Sequence, residues 1–121
     1  MNIEDLRTYC LAKSLVTESF PFDEKTLVFK VCNKMFALTN IEDGLSVNLK
    51  CKPEMALELR EQYPNKVLPG YHMNKKYWNT IIIDGSINDC FIKQWIDDSY
   101  ELVVSKLTKK QRQEISDFIG K

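Results

Sequence analysis

The sequence has too little of several residue types to belong to some common classes of protein. It contains one histidine and four cysteines in 121 residues, and the cysteines are widely separated along the chain. A structural zinc site usually needs four cysteine or histidine ligands in closely spaced pairs, so none is expected here. Glycine and proline contribute only four residues each, which excludes a collagen-like or low-complexity chain.

Long apolar runs and an export signal are also missing. No apolar run is long enough to cross a membrane. The first residues, MNIEDLRTYC, carry acidic side chains where an export signal needs a basic start and an apolar stretch. We therefore expect a cytoplasmic protein that makes no membrane contact. Because the cytoplasm is reducing, the cysteines are expected to be unpaired thiols, and no motif indicates a cofactor.

The charge is balanced over the whole chain but not along it. Seventeen basic and seventeen acidic side chains give a formal net charge of zero. Residues 50–83 carry six basic side chains against three acidic ones, and all three acidic residues fall in one predicted helix. This distribution allows a basic surface on one side of the protein, although a much weaker one than strongly basic nucleic-acid-binding proteins have.

Hydrophobic periodicity predicts an α+β domain in which an antiparallel sheet has helices packed on one side. Residues 26–39 alternate as a β-hairpin that turns at Cys32-Asn33, and further strands are predicted over 45–50 and 78–83. Helical spacing predicts helices over 3–14, 53–62 and 87–106, with a short last helix after them.

Local signals predict where some of these elements begin or end. Ser86, with Asp89 three residues later, has the pattern of a helix N-cap, and Thr108 with Gln111 has the pattern of a capping box. The segment Phe20-Pro21-Phe22 ends the first helical unit, because proline restrains the backbone. Its two phenylalanines are expected to close the edge of the core.

The stretch PGYHMNKKYWNTI, residues 69–81, has the most distinctive chemistry in the chain. It holds the only histidine, His72, together with the pair Lys75-Lys76 and several aromatic rings. Lysines neutralise phosphates and rings stack on bases, which favours a nucleic-acid-binding surface. The alternative is that Tyr71 and Trp78 anchor a loop to the sheet while the lysines are only solvated. For Trp78, which begins an apolar strand, the structural alternative is favoured.

Several longer segments follow the pattern of one known family, in the same order. On these segments the chain resembles the MmcQ/YjbR family, described as DNA-binding proteins with a CyaY-like α+β fold. The resemblance implies one domain over 1–121, strongest over 17–107, with 108–121 as a C-terminal helix. The chain departs from the family pattern at Asp23 and at Cys32-Asn33, where glycines are usual. The matching segments are TESFPFDEKTLVFKVCNKMFAL (17–38), LKCKPEMALELREQYP (49–64), PGYHMNKKYWNTI (69–81), DGSI (84–87) and DDSYELVVSKL (97–107).

The resemblance and the lysines together predict a DNA-binding protein without catalytic activity. Lysines without an arginine fork favour weak, largely sequence-tolerant contacts with phosphates. The alternative is a protein-interaction or small-ligand-binding module that uses the aromatic loop 69–78. We expect a monomer with no cofactor and no bound metal. The candidate nucleic-acid-binding residues are Lys50, Lys52, Lys66, His72, Asn74, Lys75 and Lys76.

Three other groups contain residue types that are found in catalytic or metal sites. His72 has no serine or cysteine nucleophile close by in sequence, so a structural or phosphate-contacting role is favoured over general-base catalysis. Asp97-Asp98 and Glu101 resemble a cation-binding cluster, but such sites draw ligands from several elements, so a solvated helix face is favoured. Cys51 lies between two lysines that would lower its pKa, yet a half-buried thiol is favoured there.

Overall fold

A computed structural model of the chain describes residues 1–42, 44–71 and 73–119, the last residue by its backbone only. Within these ranges the chain forms one six-stranded antiparallel sheet and four helices, the α+β class that the periodicity predicts. None of the described helices is long and apolar enough to span a bilayer. The helices are Ile3–Leu11 (α1), Pro53–Gln62 (α2), Asp89–Ser105 (α3) and Lys109–Ile119 (α4). The strands are Val16–Ser19 (β1), Thr26–Val31 (β2), Lys34–Asn40 (β3), Ser46–Lys50 (β4), Val67–Pro69 (β5) and Trp78–Ile82 (β6).

The strands follow the order β1-β2-β3-β4-β6-β5, so β6 lies between β4 and β5. The predicted hairpin is confirmed as β2 and β3. Its turn residues Cys32 and Asn33 have φ angles of 48° and 65°, the left-handed conformation that a two-residue hairpin turn of this kind requires. The strands predicted over 45–50 and 78–83 are confirmed as β4 and β6.

The alternation of side chains gives the sheet two different faces. All four helices bury residues in one core on the first face, where Leu6, Leu59, Ile96 and Ile115 meet strand residues such as Phe29. A smaller cluster lies on the second face, which we call the open face. The register assigns to it Thr26, Val28, Lys30, Met35, Leu38, Asn40, Ser46, Asn48, Lys50, Leu68, Trp78 and Thr80.

Two short strands were not predicted. The first helix ends at Leu11, three residues earlier than expected, because the chain turns through Leu15 (φ 59°) into β1. Both β1, with four residues, and β5, with three, are too short to show a recognisable alternation. They nevertheless form the two edges of the sheet.

One helix cap was predicted at the wrong residue and one at the right residue. The cap of α3 is Asn88 rather than Ser86, since the Asn88 side-chain oxygen accepts a hydrogen bond from the Cys90 amide at 2.8 Å. The capping box of α4 is confirmed. The Thr108 amide donates to the side chain of Gln111, and the Gln111 amide donates to the Thr108 hydroxyl oxygen, both at 3.1 Å.

The expectation that Phe20 and Phe22 close the core is wrong. These side chains are 46% and 64% exposed. The loop folds around Asp23 instead, because its carboxylate accepts hydrogen bonds from the Lys25 and Thr26 amides at 2.8 and 2.7 Å. These bonds also hold the pKa of Asp23 below its usual range. The turn leaves Phe22 beside the open face.

Candidate nucleic-acid interface

The register of β4 and β6 brings two lysine-bearing segments to one end of the sheet. Lys50, the last residue of β4, pairs with Trp78, the first residue of β6. Lys52 follows closely after β4, and Lys75 and Lys76 come just before β6, all three with exposed side chains. We call this group, Lys50, Lys52, Lys75 and Lys76, the basic end of the sheet. Residues some 25 positions apart in sequence thus become neighbours.

Asn74 shapes the loop that carries the two adjacent lysines. Its backbone carbonyl accepts hydrogen bonds from the Tyr77 and Trp78 amides at 3.1 and 3.0 Å. Its side-chain oxygen accepts from the Lys76 amide at 3.0 Å. The Asn74 oxygen thus already accepts the hydrogen bond that forms the turn, and the amide nitrogen is the better placed group for the predicted polar contact.

Arg60 of α2 ties the same loop to the body of the protein. Its Nε donates to the side-chain oxygen of Asn79 at 2.7 Å, and another of its nitrogens donates to the carbonyl of Trp78 at 3.3 Å. That nitrogen also donates to the carbonyl of Lys75. Asn79 is almost completely buried and donates in turn to the carbonyl of Ala56 at 3.2 Å. From the sequence alone, Arg60 is one more positive charge, and no spacing reveals this role.

Gly70 lets the start of the loop lie directly against β6, and a methyl group there should be costly. Its amide donates to the Trp78 carbonyl at 2.8 Å, and an added Cβ would lie 2.7 Å from Trp78 Cβ and 2.9 Å from that oxygen. Neither atom can swing aside, so we expect Gly70→Ala to lower the free energy of unfolding by about 2 kcal/mol in urea denaturation. Gly44, where an added Cβ meets nothing within 4 Å, provides the control. Equal losses in the two variants would contradict this account.

Two of the predicted contact residues lie outside the basic end or outside the described structure. Lys66 precedes β5, and its carbonyl accepts a hydrogen bond from the Ile82 amide at 2.8 Å, which places it at the opposite end of β6. Its ammonium group is 2.5 Å from Asp84, and this hydrogen-bonded contact holds the pKa of Asp84 well below its usual range. Lys66 is thus already paired with a carboxylate. His72 lies outside the described residues, and its predicted contact stays a prediction.

The structure adds Lys30 to the residues selected from the sequence. It lies on the open face near the end of β2, where it pairs with Met35 of β3 and Thr17 of β1. The register puts Lys30 and Lys50 at a similar level on either side of β3. The alternation could have identified it, because its neighbours Phe29 and Val31 are both buried in the core.

A groove of about 970 Å³ crosses the open face. Leu38, Asn48 and Thr80 lie along its floor, Phe22 stands on one side, and Tyr71 stands on the other. The Thr80 hydroxyl donates to the side-chain oxygen of Asn48 and accepts a hydrogen bond from the Tyr71 amide at 3.1 Å. Its lining is therefore a mixture of exposed rings, apolar side chains, amides, hydroxyls and the carboxylate of Asp23.

Trp78 belongs to the protein core rather than to a binding surface. It is only 7% exposed and clusters with Val28 and Leu38, and Met35 and Met73 pack against this group. The structural interpretation favoured from its sequence position is confirmed. Two exposed rings, Phe22 and Tyr71, line the groove.

The Asp97 carboxylate of α3 is already hydrogen-bonded within the protein. Asp97 accepts hydrogen bonds from the Lys13 ammonium at 2.5 Å and from the Tyr9 hydroxyl at 2.7 Å. Burial, together with the Asp97 contact, raises the pKa of Tyr9 to about 12. Asp98 and Glu101 are exposed. Among the described residues, no group of three potential ligands is close enough to hold a metal ion.

All four cysteines are free thiols in the structure. Burial, reinforced by the nearby Asp98 carboxylate, raises the pKa of Cys51, although two lysines flank it in sequence. Burial also raises the pKa of Cys10 to about 12. The half-buried position favoured for the Cys51 thiol agrees with the structure. Its raised pKa makes it a poor nucleophile at neutral pH.

A second, smaller cavity of about 410 Å³ lies between α2, α3 and the end of β4. Its apolar lining includes Met55, Leu59 and Trp95, residues on the helical side of the sheet. Charged residues of both signs also line it, namely Lys50, Lys52, Asp98 and Glu101. Of the described residues, two carboxylates line this cavity, whereas one, Asp23, lines the groove, so the open face is the better candidate for contact with a polyanion.

The fold and the site define a small α+β protein with helices on one face of its sheet, a grooved opposite face and lysines at one end. The chain belongs to the YjbR family, whose model matches residues 11–102. This membership confirms the resemblance to the MmcQ/YjbR family.

Relatives match over nearly the full length of the chain. It is 37% identical over 113 residues to the uncharacterised protein YjbR of Escherichia coli (strain K12), covering 93% of this chain and 95% of that protein. It is 33% identical over 113 residues to the uncharacterised protein YbdF of Escherichia coli O157:H7, covering 93% and 92%. These relatives support the family and assign no activity.

Solved structures match the fold closely. A crystal structure of a Deinococcus radiodurans protein with the domain DUF419 has a TM-score of 0.90 and 41% identity, covering 95% of this chain and 88% of that one. A Pseudomonas syringae protein has a TM-score of 0.73 and 26% identity, covering 84% and 98%. The α+β fold is therefore shared with solved proteins.

Proposed function

We propose that this protein is a cytoplasmic, monomeric, non-catalytic DNA-binding protein that contacts phosphates through its basic end. The main support is the Lys50–Trp78 pairing, which joins two separate lysine segments at one end of the sheet. Duplex DNA carries one negative charge per about 1.7 Å, so several ammonium groups at neighbouring positions match its backbone.

The distribution of charge around the sheet agrees with DNA contact at the basic end. Lys30 and Lys50 lie on the open face, whereas Asp98 and Glu101 belong to α3 on the other side. Lys50 and Lys52 both line the smaller cavity together with those carboxylates, so their attraction for phosphate is reduced. The remaining lysines act as point charges without a bidentate fork, which favours weak and largely sequence-tolerant binding.

The lysine pair should account for a measurable part of the salt dependence. Each neutralised phosphate contributes about 0.9 to the slope of log K against log salt concentration for duplex DNA. The double variant Lys75→Ala/Lys76→Ala is therefore expected to reduce the magnitude of this slope by nearly two. Fluorescence anisotropy of a labelled duplex over a series of salt concentrations measures it.

The matched control removes the same charge elsewhere. Lys25 is paired with Glu42 at 3.2 Å at the other end of β2, and Lys93 of α3 lies over the ring of Tyr9 at 5.4 Å on the helical side. Lys25→Ala/Lys93→Ala should leave the salt slope unchanged. The proposal fails if the wild-type protein has no DNA affinity at low salt, or if both double variants change the slope equally.

The groove on the open face supports a second candidate function, a protein-interaction or small-ligand-binding module that uses the 69–78 loop. Its volume of about 970 Å³ lies at the upper end of the range for ligand sites. Absence of DNA affinity at low salt would favour this candidate over DNA binding.

A further inference from the structure

We infer that the groove on the open face holds an unstacked base of a single-stranded nucleic acid, while the adjoining phosphate lies at the basic end. This inference rests on the proposed function and specifies the form of nucleic acid that the protein prefers. It depends on three features of the open face: the rings beside the groove, the hydrogen-bonding floor of the groove, and the change of charge from Asp23 towards the basic end.

Two exposed aromatic rings stand on opposite sides of the groove. Phe22 belongs to the loop between β1 and β2 and is 64% exposed, and Tyr71 belongs to the loop between β5 and β6 and is 70% exposed. Both loops are held in place, because the Asp23 carboxylate accepts from the Thr26 amide and the Tyr71 amide donates to the Thr80 hydroxyl oxygen. Rings on anchored loops lose little freedom on binding, and every base offers a flat face for stacking.

The floor between the rings offers an oriented amide. The side-chain oxygen of Asn48 is engaged by the Thr80 hydroxyl. Within the described part of the chain, every buried side-chain nitrogen or oxygen has a hydrogen-bond partner. The amide nitrogen of Asn48 donates to no described protein group, so it is open to the groove that Asn48 lines. It is positioned to donate to the carbonyl oxygens or ring nitrogens that bases present as acceptors.

Charge changes sign along the open face, from Asp23 in the groove to the lysines that lie beyond the groove's lining residues. Asp23 lines one end of it, close to Thr26 at the start of β2. Lys30 is four residues further along the same strand, which corresponds to roughly 13 Å at about 3.3 Å per residue. The Asp23 carboxylate repels phosphate and accepts hydrogen bonds from exocyclic amines of bases, whereas the lysines attract phosphate. The gradient therefore places the backbone towards the basic end and the base over the floor.

This arrangement selects single strands over duplexes. In a duplex both faces of a base are covered by its neighbours, so its ring reaches the groove only after unstacking. A duplex would contact the lysines through its phosphates and leave Phe22 and Tyr71 unused. A single strand uses both the lysines and the rings, which adds stacking to the electrostatic attraction.

The test compares one labelled mixed-sequence oligonucleotide as a single strand and as a duplex, at equal low salt. Phe22→Ala and Tyr71→Ala are each expected to weaken single-strand binding by roughly 5- to 100-fold and duplex binding by less than about twofold. Tyr71→Phe keeps the ring and should bind like the wild type. Phe91→Ala removes a ring that is 52% exposed on α3, away from the groove, and should also be neutral.

The outcomes separate this inference from the proposed function. If both alanine variants bind the single strand normally while Lys75→Ala/Lys76→Ala still weakens binding, the base site is overturned and DNA binding stands. Preference of the wild type for the duplex also overturns the base site. If neither nucleic acid binds, both proposals fail. Binding of free deoxyadenosine monophosphate as tightly as the oligonucleotide would assign the groove to small ligands and overturn the inference.

Discussion

Arg60→Ala is expected to lower the free energy of unfolding by about 3 kcal/mol and to weaken DNA binding in the same protein. The substitution removes the donor to the side-chain oxygen of Asn79, which is only 1% exposed, and to the carbonyls of Lys75 and Trp78. An acceptor left without a donor in a buried position costs about 1–3 kcal/mol. The loop that presents Lys75 and Lys76 also loses its connection to α2, so the lysines are less well placed.

Arg60→Lys separates the charge from the hydrogen bonds. A lysine keeps the positive charge, but its single ammonium group cannot reproduce a planar fork that reaches acceptors on both Asn79 and the loop. We expect an intermediate loss of stability, about 1–2 kcal/mol in urea denaturation. If the lysine variant is as stable as the wild type, the guanidinium geometry is unimportant. If the alanine variant is fully stable, this account of the loop is wrong.

The elements with a strong repeating pattern were predictable from the sequence. The hairpin 26–39 has a clear alternation, and the asparagine in its turn at Cys32-Asn33 tolerates the positive φ that this turn requires. The long helix α3 was recognised from its apolar stripe. A half-buried strand buries every second residue, and a helix packed on a core buries three to four residues in every two turns. Both periods are visible in the order of apolar residues along the sequence.

Elements and contacts that depend on tertiary pairing were not predictable. β5 is a strand because Val67–Pro69 pairs with the edge of β6. This pairing places Lys66 at the far end of β6, and it cannot be read from the local sequence. The role of Arg60 depends on acceptors 15 to 19 residues away along the chain. Phe22 is expected at the edge of the core, but the hydrogen bonds around Asp23 fold its loop so that the ring is exposed.

The candidate site also combines features that the sequence pattern predicts with features that depend on tertiary contacts. The basic end follows from strand order, since β4 and β6 were both predicted and only their pairing was unknown. The groove could not be predicted in this way, because its walls come from two loops at opposite sides of the sheet and their positions depend on the whole fold. Asn48 and Thr80 appear in the sequence only as the polar residues of alternating strands. Their hydrogen bond across the β4–β6 pair turns them into the floor of a possible base site.

A serine in the apolar stripe of α3 joins the helix to the sheet where the strand ladder is interrupted. The register of β2 and β3 shifts at Phe29 and Lys30, so Phe36 is an extra residue on β3 without a partner on β2. Ser99, completely buried, donates from its hydroxyl to the Phe36 carbonyl at 2.6 Å and accepts from the Lys50 amide at 2.9 Å. One hydroxyl therefore satisfies a carbonyl and an amide beside the core.

Ser99→Ala is accordingly expected to lower the free energy of unfolding by about 3 kcal/mol, because it leaves both backbone groups buried without partners. Ser105→Ala is the control on the same helix. Ser105 is exposed, and its hydroxyl donates only to the Leu102 carbonyl within α3 at 2.6 Å, so its loss should cost less than about 0.5 kcal/mol. Hydrogen exchange gives a local measurement, since the Lys50 amide should exchange faster in Ser99→Ala than in the control. Equal stability of the two variants, with unchanged exchange at Lys50, would show that the serine bridge does not hold this end of β4, and the position of Lys50 would then need another cause.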